Sequence, residues 1–172
     1  VAMRQQAVDM QSLVADTRAM LDSNLQAEAE NSGHAHQVEW SIAPLPIVVG
    51  DENMIRQVWL NLLGNAVKYS GNREPARIRV DCQQQPDGGH QFTVSDNGAG
   101  FDMAYAGKLF GVFQRLHKAS DYPGTGIGLA SVRRVLTRHG GRIWAEAEPD
   151  VGATFHFYLP PAIDADKQGP SA

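Results

Sequence analysis

Hydrophobic positions along the chain change period several times, and each change marks an element. Met3, Ala7, Met10, Val14, Thr17 and Leu21 alternate spacings of four and three, with Leu13 and Met20 widening the seam. This predicts an amphipathic helix that ends before the polar stretch 26–37. Such a helix either caps its own domain or forms the tail of a longer pairing helix, and the seam is too short to choose. Val38-Glu39-Trp40-Ser41-Ile42 alternates like a strand, and Pro44 and Pro46 break the chain before Ile47-Val48-Val49. Asp51 suits a helix N-cap. The helix it opens runs to about Tyr69, with Ile55, Trp59, Leu62 and Ala66 as its buried stripe. Residues 77–82 and 90–95 alternate and are joined by Pro86-Asp87-Gly88-Gly89, a hairpin signal. From 101 to 123 the pattern is irregular, anchored by Phe110 and Phe113. The next helix opens at glycines and buries Leu129, Val132, Val135 and Leu136, until His139-Gly140-Gly141 stops it. Residues 142–147 and 154–159 read as two more strands around Glu148-Pro149-Asp150-Val151-Gly152, and the polar tail reads as disordered. Helices interleaved with hairpins predict an α+β fold: a two-layer sandwich with a mixed, mostly antiparallel sheet and helices on one face.

Composition narrows the function classes without choosing among them. The chain has 172 residues, 42% hydrophobic and 20% charged, which suits one domain with a real core and some flanking helix. A net charge of −4 with scattered Lys and Arg gives no nucleic-acid footprint. No apolar run approaches the roughly 20 residues of a membrane span, and no signal-peptide pattern is present. Cys82 is the only cysteine, so an intrachain disulfide is excluded and a reducing, cytoplasmic setting is expected. The sequence starts inside a helical pattern and reads as a piece of something longer.

Three stretches carry candidate chemistry. Asp96-Asn97-Gly98-Ala99-Gly100 follows a strand and could be an ordinary turn. On a helix, Asn61, Asn65 and Lys68 fall within about 60° of one another, away from the apolar stripe. Asn is a poor interior helix former, so two among leucines need a reason. They form either a solvated polar stripe or a metal and phosphate site. In the second reading Asn65 offers an amide oxygen to Mg²⁺, a hard cation that keeps several waters. Asn61 helps hold the metal's water shell, and Lys68 sits near phosphates as a point charge. Gly124-Thr125-Gly126-Ile127-Gly128-Leu129 fails the dinucleotide fingerprint, because Leu129 stands where a third glycine is needed. A Walker loop is also absent. What remains is either a flexible loop or a glycine loop feeding a helix N-terminus, whose N–H groups and dipole favour phosphate. Asp96 would then read the base: a carboxylate is acceptor-only, suiting the amino group of adenine and disfavouring the carbonyl of guanine. Gly98 and Gly100 leave room for the purine ring.

Taken in order, these residues resemble the ATP-binding catalytic domain of bacterial sensor histidine kinases, of the GHKL (Bergerat) superfamily that includes gyrase, Hsp90 and MutL. Residues 61–69 resemble the family's N box, 96–100 its G1 box, 110–113 its F box and 124–129 its G2 box. Gly152-Ala153-Thr154 resembles the glycine turn before its last strand. The wording around Phe110 and around Arg138-His139-Gly140-Gly141 is most similar to kinases of the bacteriophytochrome and PAS-sensor type. The resemblance divides the chain into an N-terminal helix (1–26, a possible end of a dimerisation linker), an ATP-binding domain (27–160) and a tail (161–172). It implies ATP and Mg²⁺ as cofactors, with Asp96 on adenine and Asn65 on the metal. Asn61, Lys68 and Tyr69 contact metal or phosphate. The loop Gly124, Thr125, Gly126, Ile127, Gly128 and Leu129 holds the phosphates, and Gly98, Gly100 and Thr154 complete the pocket. Residues 101–123 hold a lid, with Arg115 a candidate for the γ-phosphate or the partner helix.

Two departures shape the functional expectation. ATP-hydrolysing relatives carry a Glu where this chain has Asn61, and an amide cannot take a proton from water, so fast hydrolysis is not expected. The phosphoacceptor His box is also missing. His34 and His36 lie in a polar loop as solvated side chains, and His139 reads as a cation at the negative end of a helix dipole. The expectation is therefore a catalytic half. It would pass the ATP γ-phosphoryl group to a histidine on a dimerisation domain absent from this chain, for relay to a response-regulator aspartate. The fragment is expected to be monomeric, without nucleic-acid or membrane contact. An ATP-hydrolysing switch, a nucleotide-binding module without transfer and a Ser/Thr kinase of the anti-sigma type are the alternatives.

Overall fold

The computed structural model describes residues 3–33, 36–104 and 128–161. Its order is β1 (Gln6–Asp9), α1 (Met10–Ser32), β2 (Val38–Ile42), β3 (Ile47–Gly50), α2 (Glu52–Tyr69), β4 (Ala76–Gln84), β5 (His90–Asp96), α3 (Gly128–Arg138), β6 (Arg142–Glu148) and β7 (Gly152–Leu159). β2-β4-β5-β7-β6 form the main sheet, and β1 pairs with β3 in a separate ladder. Among the described strands only β2–β4 is parallel, which makes α2 part of the crossover between these two strands; the other ladders are antiparallel. Alternation sorts the sheet residues as expected. Ile78, Val80, Phe92, Val94, Phe155 and Phe157 point to the helices and are buried. The opposite face carries polar pairs such as Arg77–Glu39 and Arg79–Asp81. At the centre of the core, Trp59 of α2 meets Phe92 and Phe157 edge-on at 5.7 and 5.1 Å. Its indole N–H points at the Met10 sulfur, 3.5 Å away.

The N-terminal segment differs from its expected form at both ends. Residues 6–9 are strand, and the helix begins only at Met10 because Asp9 caps it, accepting from the Gln11 and Ser12 N–H groups at 3.1 and 3.4 Å. Met3 and Ala7 therefore lie outside the helical seam, whereas Met10, Leu13, Val14 and Thr17 are buried on α1. The helix also continues past 26 to Ser32, where Gly33 in the left-handed region (φ 73°) closes it. Its last turns are polar but rich in Ala, Glu and Gln, good helix formers that need no apolar stripe. α1 packs on α2 through the shared core.

α2, the helix that carries most of the candidate chemistry, follows the sequence closely. Asp51 caps it, accepting from the Met54 N–H at 3.2 Å and from the Arg4 N–H at 3.0 Å. Those N–H groups, Arg4's first, hold the Asp51 carboxyl below its usual range. The α3 C-terminus reaches the same point. His139 Nδ1 donates to the Val135 carbonyl at 2.8 Å, and its Nε2 accepts from the Asp51 N–H at 3.0 Å. His139 thus acts as a hydrogen-bond acceptor for the start of α2, and the helix-end cation expected of it is corrected. His36 is corrected too: both its ring nitrogens are buried without a partner among the described residues, beside a cavity of about 440 Å³ between α1 and α2. His34 and the tail from 162 lie outside the described residues.

Candidate nucleotide site

The site starts where the C-terminus of α2 meets the end of β5. Asn61, Asn65, Lys68 and Tyr69 are all half-buried on the last turns of α2. The Asn61 amide donates to the Gln57 carbonyl at 2.8 Å, which leaves its Oδ1 as the acceptor end. Lys68 Nζ lies 5.6 Å from the Tyr69 ring centre, over its face. The Tyr69 carbonyl, at the end of the helix, accepts the Ala99 N–H at 2.8 Å. Gly98 is required here, because a Cβ at this position would overlap the Tyr69 carbonyl oxygen. That one approach joins the amide-bearing helix to the stretch that carries Asp96.

Asp96 ends β5 on the helix-facing side of the sheet. Its Oδ1 accepts from the Gly98 N–H at 2.8 Å. Burial pushes its carboxyl up to about 6, against the opposing pull of the Gly98 and Ala153 N–H groups. A half-desolvated carboxylate with few partners is poised for a neutral donor that brings hydrogen bonds without charge. Gly100 (φ 63°) turns the chain immediately after, and a Cβ there would meet the Glu148 and Gly152 carbonyls of the β6–β7 turn. Asp150 of that turn, itself left-handed at φ 64°, donates its N–H to the Ala99 carbonyl at 2.7 Å.

Asn61, Asn65 and Lys68 lie on α2 leading to this junction, where Tyr69, Asp96, Gly98 and Gly100 meet, and Thr154 is not among them. Thr154 pairs with Ser95, their hydroxyls 3.2 Å apart, so alternation puts it on the opposite sheet face from Asp96. The position in register with Asp96 is Ala153. Gly128 is the first residue of α3, as a glycine loop feeding a helix requires. The Leu129 side chain is half-buried against the core, which leaves its backbone as the part able to serve an anion. Arg115, Gly124, Thr125, Gly126, Ile127 and the 110–113 box lie outside the described residues. Two residues at the junction carried no expectation. The Asn97 side chain accepts from the Arg77 N–H at 2.8 Å and donates to the Pro75 carbonyl at 3.2 Å. Arg73 donates to the carbonyls of Asn97 at 2.7 Å, Gly98 at 3.3 Å and Asp150. Backbone acceptors have no residue signature, so only the turn context marked these positions.

Comparison with known proteins bears on the fold and the family. Residues 50–163 match the family described as histidine kinase-, DNA gyrase B- and HSP90-like ATPase. The phytochrome-like protein Cph1 of Synechocystis sp. is 37% identical over 138 residues, covering 80% of this chain and 18% of that protein. The adaptive-response sensory kinase SasA of Thermosynechococcus vestitus is 41% identical over 116 residues, 67% of this chain and 30% of that one. The chain thus spans less than a third of the length of these relatives. Among solved structures, the mycobacterial sensor histidine kinase MprB superposes with a TM-score of 0.74 at 26% identity, covering 90% of this chain and 97% of that chain. Full-length ShkA, solved in complex with AMPPNP, gives 0.75 at 26% identity, covering 96% and 33%. Both share the two-layer arrangement of sheet and helices described above. With a match of this extent over the segment that carries the site, the chain belongs to the histidine kinase-, DNA gyrase B- and HSP90-like ATPase family.

Proposed function

We propose that this chain binds ATP with Mg²⁺ and serves as the catalytic domain of a protein-histidine kinase in the cytoplasm. The γ-phosphoryl group would pass to a histidine on a dimerisation domain outside this chain, and from there to a response-regulator receiver domain. The observation that carries this reading is the junction itself, a half-buried carboxylate at Asp96 fixed to the end of a helix bearing two amides and an ammonium. Asp96 accepts the adenine amino group and discriminates against guanine. The amide oxygens of Asn65 and Asn61 suit a hard cation that keeps most of its water, one as ligand and one through its shell. Bound Mg²⁺ would neutralise charge on the phosphates. Lys68 and Tyr69 flank the phosphates, with Arg115 and the 124–129 loop supplying further contacts. Phosphoryl transfer asks a protein mainly for positioning and charge neutralisation, which these groups provide. Asn61, as an amide, cannot act as a base towards water, so the γ-phosphate is kept for transfer.

Calorimetric titration of ATP with Mg²⁺, with released phosphate assayed in the same sample, tests the reading. Binding without steady release is the expected result, and an added histidine-bearing dimerisation domain should then become phosphorylated. Steady release by the isolated domain would point to a hydrolysing switch. Binding with no transfer to any dimerisation domain would point to a nucleotide-sensing module.

A further inference from the structure

We propose that Arg73 is a positioning residue for adenine recognition, acting on Asp96 through a single peptide group. This rests on the base-reading role of Asp96 and adds the residue that sets it. The peptide between Asn97 and Gly98 has two polar ends. Its carbonyl accepts from Arg73 Nε at 2.7 Å, and its N–H donates to Asp96 Oδ1 at 2.8 Å. The guanidinium and the carboxylate therefore grip opposite ends of one rigid plane. Rotation of that plane would swing the N–H away from Asp96, and the Arg73 bond prevents it. The same bond polarises the peptide, and chains of hydrogen bonds strengthen one another in this way. A stronger Gly98 N–H donor favours the ionised carboxylate, the form that can accept from an amino group.

The rest of the fork makes the hold specific to arginine. Another guanidinium nitrogen donates to the Gly98 carbonyl at 3.3 Å and to the Asp150 carbonyl, tying the base-reading stretch to the left-handed β6–β7 turn. A planar fork holds its donors in fixed directions on separate nitrogens, here serving three carbonyls from two of them, whereas a lysine offers one rotatable nitrogen. Among the described residues, the influences on Asp96 are burial and the N–H groups of Gly98 and Ala153. Arg73 thus acts through the peptide it holds and not as a counter-charge. An arginine that merely tied two loops together would affect melting alone.

The test is calorimetric binding of ATP and GTP with Mg²⁺ by the unmodified chain, Arg73→Gln and Arg73→Lys between pH 5 and 8, with melting curves in parallel. In Arg73→Gln, ATP affinity at pH 7.5 should fall about 10-fold, as for loss of a charge-assisted hydrogen bond. The ATP-over-GTP preference should shrink, and the pH midpoint of ATP binding should move upward. Arg73→Lys should recover part of each effect. A folded Arg73→Gln protein with the original midpoint and preference overturns the proposal. Should Arg73→Gln not fold, Arg73→Lys decides: an intermediate shift supports the proposal and an unchanged profile overturns it. If the unmodified chain itself shows neither preference nor midpoint, the base-reading role of Asp96 fails, and this proposal with it.

Discussion

Replacing Asp96 with Asn should strengthen the empty domain and weaken its hold on ATP. Burial raises the Asp96 carboxyl from 3.8 to about 6. The folded chain therefore binds the Asp96 proton more tightly than the unfolded chain does. Stability from this group is fully present below about pH 4, is lost as pH rises through about 6, and stays lost above that. A rise from 3.8 to about 6 corresponds to ~3 kcal/mol, an upper figure because the side chain keeps some solvent contact. Asn cannot ionise and still accepts the Gly98 N–H. For a domain of this size, recovering about half of that cost should raise Tm by roughly 5 °C at pH 7.5. The gain should fade towards pH 4. Binding moves the other way, because the variant loses a charge-assisted hydrogen bond worth ~1.5–3 kcal/mol, or about 10- to 150-fold in ATP affinity. Melting curves at pH 7.5 and 4.5, with ATP titrations at pH 7.5, measure both quantities. A variant that melts lower at pH 7.5 and binds ATP unchanged would refute the reasoning at both steps.

Four further outcomes are expected. In the unmodified chain, ATP affinity should fall about 10-fold from pH 7.5 to pH 5, since one unit below a pKa of about 6 only about a tenth of Asp96 is ionised; calorimetry across that range checks this. Gly98→Ala should abolish ATP binding and lower Tm, because the added methyl overlaps the Tyr69 carbonyl, whereas Gly64→Ala meets nothing within 4 Å and should raise stability by ~1 kcal/mol in denaturant titrations. His139→Ala leaves the Asp51 N–H without its acceptor and should cost ~1–3 kcal/mol of stability, read in the same titrations, with little change in ATP affinity. The Cys82 thiol, pushed up to about 11 by burial, should react with a disulfide reagent at pH 8 far more slowly in the native protein than after denaturation.

How far the sequence reached depended on whether a feature was periodic. α2 was legible to the residue because a cap, an apolar stripe and a polar stripe agreed along one helix. The hairpin β4–β5 and the last two strands followed for the same reason, their alternation matching the buried and exposed faces. α1 was misjudged where periodicity stopped, since exposed Ala, Glu and Gln turns hold a helix without any stripe. Thr154 was misplaced by one residue, which in a strand means the wrong face. Counting alternation from Asp96 across its partner strand selects Ala153, but that register is known only once the strands are paired. His139 and Arg73 were beyond reach for a different reason. Their partners are backbone groups, the Asp51 N–H 88 residues away and the Asn97 carbonyl 24 residues away, and any residue could supply them.

The stretch from Asp96 to Gly100 belongs to no helix or strand after its first residue, yet three of its amides are spoken for. Asn97 donates to the Arg77 carbonyl, Gly98 to the Asp96 carboxylate and Ala99 to the Tyr69 carbonyl. The consequence is entropic. Freezing a residue's backbone costs ~1–2 kcal/mol, and here that cost is met once, on folding, together with the core. On the proposed reading, adenine arriving at Asp96 would find its acceptor already fixed, so little of the contact free energy would be offset by ordering this end of the pocket. Loosening these three amides would weaken binding without removing any atom that touches the base.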